Sequence, residues 1–81
     1  MRERLTEDQR DLVIKLSNDV RAQLEATGRA ELRTPSILTR KTNPEWVVWD
    51  AVLAQFAHGN TITYPSGEDD PFVIKKGSPI T

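Results

Sequence analysis

From Thr6 to Gly28 the large apolar side chains return at helical intervals. At about 100° per residue, Leu12, Leu16, Val20, Val13 and Leu24 fall in one stripe roughly 120° wide, as in a helix lying on a core. Thr6 is a favoured cap, Gln9 completes a capping box, and Glu7 and Asp8 suit the positive end of the helix dipole. Gly28 supplies the left-handed residue that ends such a helix. The pattern predicts a helix over 7–27, with Asp11 and Lys15 forming an i,i+4 pair on its wet side. Ile14 lies off the stripe, either as one exposed apolar residue or as a partner contact.

A second helix is predicted over 44–58. Asn43 is a favoured cap, Pro44 a favoured first residue, and Gly59 a stop. It holds both tryptophans, Trp46 and Trp49, and looks apolar on all sides. Helical projection separates two halves. Val48, Val52, Phe56, Trp49, Leu53, Trp46 and Ala57 form a continuous apolar half-cylinder, wide enough for the first helix and further structure. The other half is a shallow strip of Val47, Ala51 and Ala54, bordered by Asp50 and Gln55.

Residues 28–43 read as a connector. Thr34 and Pro35 suit the start of a short helix, whereas Ile37-Leu38-Thr39 has the β-branched content of a short strand. A turn or short helix is the preferred expectation. Near the C-terminus Ile62 and Tyr64 alternate with Thr61 and Thr63, and Phe72 and Ile74 alternate with Val73 and Lys75. The turn-rich stretch 65–71 joins these runs into a two-stranded hairpin over 61–75, with one apolar face. Two strands are marginal alone, so that face must lie on a helix. The expected class is α+β: long helix, connector, Trp-containing helix, hairpin.

With 81 residues the chain has room for one small domain, expected over 1–77 with a flexible tail at 78–81. There is no cysteine, which removes disulfides and thiol chemistry and favours a reducing compartment. No apolar run is long enough to span a membrane, and Met1-Arg2-Glu3-Arg4 lacks a signal peptide's apolar stretch. A soluble cytoplasmic protein is expected.

Candidate chemistry is sparse. The lone histidine, His58, falls where it would suit a helix C-terminus. As a general base it would need a nucleophile and an orienting carboxylate, for which only Ser66 and Asp69 or Asp70 lie near in sequence. Glu68-Asp69-Asp70 lacks the ligand spacing of a calcium loop and reads as a solvated turn. No phosphate-binding, zinc or cofactor motif is present. An enzyme, a metal, a cofactor and a small-molecule substrate are therefore not expected; a weaker option is a small enzyme subunit completed by a partner.

Charge is uneven along the chain. Arg29, Arg33, Arg40 and Lys41 cluster in the connector, whereas 43–71 holds five carboxylates and no Lys or Arg; Lys75 and Lys76 follow. The order helix, connector, helix, hairpin resembles the layout of a winged-helix domain. That resemblance implies a nucleic-acid-binding regulator using Arg29, Arg33, Arg40, Lys41, Lys75 and Lys76. Against it, the presumed wing tip is acidic, and the second helix offers no Lys or Arg to a base edge. The preferred reading is a non-catalytic interaction or regulatory protein that docks on a protein partner or on itself as a homodimer. Its interface candidates are Val47, Ala51, Ala54, Ile14, Trp46 and Trp49, since so short a chain cannot surround the second helix.

Overall fold

The structure, a computed structural model, describes residues 5–68 and 70–77. Helix α1 spans Glu7–Thr27, strand β1 Arg29–Leu32, a 3-10 helix Ile37–Thr39, helix α2 Trp46–Gln55, and strands β2 and β3 Asn60–Thr63 and Phe72–Lys76. The α+β class holds. The sheet, however, has three antiparallel strands in the order β1-β3-β2, not a two-stranded hairpin.

The added strand is the main correction. Arg29-Ala30-Glu31-Leu32 alternates out and in, with Ala30 and Leu32 buried. Its apolar content, one Ala and one Leu, is too small to mark a strand by itself. Pairing supplies what the residues lack: Ala30 lies opposite Ile74 and Leu32 opposite Phe72. The hairpin's apolar face thus extends through β1, and Ile62 adds to it from opposite Ile74 on β2.

Helix α1 begins and ends as its caps dictate. Thr6 and Gln9 exchange capping-box hydrogen bonds, and Gly28 closes the helix at φ 77° with its N–H on the Leu24 carbonyl. The buried band is Val13, Ser17, Val20 and Leu24, turned about 40° from the all-apolar stripe. Leu12 is left 42% exposed. Ser17 takes its place because α2 approaches there.

Helix α2 is shorter than the expected 44–58. Glu45, not Asn43, is its N-cap and supplies no side-chain cap bond; Asn43 Oδ1 instead accepts the Glu45 N–H at 2.9 Å within the tight turn that precedes the helix. The exit tightens at Phe56, and Gly59 turns the chain into β2 at φ 80°. His58 is exposed beyond the helix end, so it does not sit in the last turn. In the connector the short helix is present, but Ser36 rather than Thr34 caps it, accepting the Leu38 N–H at 3.2 Å.

The core lies where α1, α2 and the inner sheet face converge. Trp46, Val52, Val20, Phe72 and Ile74 are its most enclosed side chains. The proposed tail 78–81, and Asp69 of the acidic turn, lie outside the described residues. No described helix is long and apolar enough to cross a membrane.

Candidate functional site

Most of the expected half-cylinder of α2 faces inward, but Ala57 at its end is exposed. Trp46, Val48, Val52, Leu53 and Phe56 are buried; Asp50, Ala54 and Gln55 are exposed; Val47, Trp49 and Ala51 are half-buried. The outer strip therefore consists of two half-covered apolar residues, one bare alanine and one carboxylate. Gln55 is committed, because its Nε2 donates to Ser17 Oγ at 2.7 Å and so joins α2 to α1.

Trp46 is not an interface residue. It is 2% exposed, its ring meets Phe72 edge-on at 5.7 Å, and its Nε1–H donates to the Ser36 carbonyl at 3.1 Å. A buried indole needs such an acceptor, and the connector supplies it. Trp49 instead lies half-buried in a cleft of about 420 Å³ with Gln9, Leu12, Pro44, Glu45 and Val48, between the starts of α1 and α2. Ile14 is 54% exposed. Helical phase puts it about 60° round α1 from Ser17, beside the flank that meets α2.

Arg40 organises the side of α2 nearest the hairpin. Its guanidinium lies 5.2 Å from the Trp46 ring centre and 5.6 Å from that of Tyr64, and its Nη2 meets Asp50 Oδ1 at 2.9 Å. One side chain thus ties connector, α2 and the loop after β2. Tyr64 in turn meets Phe72 edge-on at 4.9 Å, and Ser36 Oγ donates to a Glu68 carboxylate oxygen across the same gap. A shallow groove beside this lock is lined by Lys41, Thr42, Asn43, Pro44 and Val47.

The basic residues of the sequence do not form one patch. Arg29 and Lys75 face each other on the outer sheet face, where Arg29 is also paired to Glu31 at 3.1 Å. Arg33 is exposed just past β1 and Lys76 at the end of β3. Arg40 is engaged as above, and only Lys41 stands beside it at the entry to α2. No group of three or more His, Asp or Glu residues placed to hold a metal occurs among the described residues.

Two apolar residues are exposed against their sequence pattern. Leu38, at 82% exposed, projects from the 3-10 helix, and Tyr64 is 53% exposed although it shares its face with half-buried Ile62. Tyr64 lies one residue past the strand, where inward alternation no longer buries a side chain. No protein-family model, curated protein or solved structure matches the chain.

Proposed function

We propose that this is a non-catalytic docking protein that binds other protein through the outer strip of α2 and the grooves flanking it. One observation carries the reading. The outward surface of α2 offers Val47, Ala51 and Ala54, with its single charge, Asp50, already held by Arg40. Small apolar side chains permit close approach of a second backbone, and the Arg40 lock keeps the surface preformed, which lowers the entropic cost of binding. Affinity purification from the native host, followed by mass spectrometry, tests it. A specific protein retained at high salt and lost with Val47→Glu is the expected outcome.

A second reading is favoured by topology. Helix, strand, short helix, helix, strand, loop and strand, with the first strand beside the third, is the layout of a winged-helix domain, an analogy of fold alone. In that layout α2 would enter the DNA groove, yet it carries no Lys or Arg, and Glu68 and Asp70 lie in the loop corresponding to the wing. Phosphate contacts would then fall to Lys41 and to Arg29 and Lys75 on the sheet. A salt-sensitive mobility shift weakened by Lys41→Ala with Lys75→Ala would support this reading.

A further inference from the structure

The two edges of the sheet are treated differently. The Lys76 N–H donates to the Gly28 carbonyl, which fixes the phase of the ladder: Ala30 and Leu32 bond to β3, and Arg29 and Glu31 point their backbone groups away from it. Three of those four outward groups are met by α1. Thr27 Oγ1 donates to the Arg29 carbonyl at 2.9 Å and accepts its N–H at 3.3 Å, and Gln23 Oε1 accepts the Glu31 N–H at 3.2 Å. The β1 edge is closed by side chains of the helix beside it.

By the same phase Thr61 and Thr63 bond to β3, and Ile62 turns both its N–H and its C=O to the free side of β2. Neither has a hydrogen-bond partner among the described residues, and no helix backbone lies alongside. The strand Asn60–Thr63 carries no charge and no proline, the usual devices that keep an open edge from pairing. Beside it runs a cleft of about 280 Å³ lined by Leu53, Ala54, Ala57, Ile62 and Tyr64 together with the paired Arg40 and Asp50, where the alanines leave room next to the strand.

We propose that this edge pairs with the same edge of a second copy, antiparallel and centred on Ile62, so that two sheets become one. A twofold axis through that point exchanges both Ile62 hydrogen bonds reciprocally, the isologous form of most homodimers. It sets Thr61 opposite Thr63 of the second copy, a cross-strand pair that sheets favour, and brings no like charges together. The axis stands perpendicular to the sheet, so both copies of α2 lie on one side, with Ala54 and Ala57 near the seam. Pairing of this kind uses a surface separate from the α2 strip and goes beyond the docking reading by naming a second copy as the partner.

The test is amide hydrogen exchange at Ile62 together with sedimentation of the full chain. Both are followed from about 10 μM to about 1 mM protein, the range over which an interface smaller than standard size dissociates. Ile62 exchange should slow at least tenfold at the upper concentration as a dimer appears. Thr61→Glu with Thr63→Glu sets like charges opposite one another across the axis, while Lys75 beside Thr61 accommodates the new charge within the hairpin. That variant should keep its circular dichroism and lose both dimer and protection. Val47→Glu, aimed at the docking strip, should keep both. A monomer at 1 mM, a dimer with Ile62 unprotected, or a dimer unaffected by the two glutamates would overturn edge pairing. Capture of another protein that still depends on Val47 would leave the docking reading standing.

Discussion

Gly77 meets Gly59 backbone to backbone: a Cβ at position 77 would lie 1.9 Å from the Gly59 carbonyl oxygen. The end of β3 is therefore held against the turn that leaves α2, and Asn60 secures the junction by accepting the Gly77 N–H at 3.3 Å and donating to the Phe56 carbonyl at 3.2 Å. Gly77→Ala must displace one backbone from the other. We expect a loss of about 1–3 kcal/mol, measured by urea unfolding with an unchanged slope.

Ser17 sets how closely the helices approach. It is 3% exposed and bonded to Gln55 at 2.7 Å. Ser17→Ala should cost about 1 kcal/mol through the lost hydrogen bond. Ser17→Leu restores an apolar stripe on paper, yet it should cost about 1–3 kcal/mol because the larger side chain forces α2 away. Thermal and urea unfolding of the pair would check this order.

Arg40 acts through geometry as well as charge. Because the pair with Asp50 is largely exposed, most of its worth lies in the two ring contacts, about 0.5–1 kcal/mol each. Arg40→Ala should lower stability by about 1–2 kcal/mol. Arg40→Lys should recover less than half of that, since an ammonium cannot stack flat on either ring. Unfolding curves at low and high salt separate the contributions: the ring contacts persist when the ion pair is screened.

Trp46→Phe keeps the ring in the core but removes the N–H that reaches Ser36. It should cost about 1 kcal/mol through the one lost hydrogen bond, since the Ser36 carbonyl keeps the Thr39 N–H and hydroxyl as donors. Faster amide exchange through the 3-10 helix Ile37–Thr39 is the accompanying sign, because Ser36 caps that turn.

The two helices were readable in the sequence because their signals are local: caps, stops and a repeat of apolar positions. The division of α2 into a covered half and a shallow strip follows from the same repeat, and the burial of Val48, Val52 and Phe56 agrees with it. Strand β1 was not readable, since Ala30 and Leu32 become strand residues only through pairing with Ile74 and Phe72, forty or more positions away. Ser17 was hidden for a related reason. A small polar residue breaks an apolar count, yet a close helix crossing requires one. At the candidate site, Trp46 and Trp49 look equivalent in sequence. They part only because the connector folds over one and leaves the other beside Leu12 and Pro44.

The central claim is that the outer strip of α2 docks protein. Its most direct measurement is parallel affinity capture from the native host by the wild-type chain and by Val47→Glu, washed at high salt, with protein and nucleic acid both quantified. The account predicts one protein held in near-stoichiometric amount by the wild type and reduced at least tenfold by Val47→Glu, whose circular dichroism stays native. Equal capture by both chains, or recovery of nucleic acid that salt removes with no protein beside it, would contradict it.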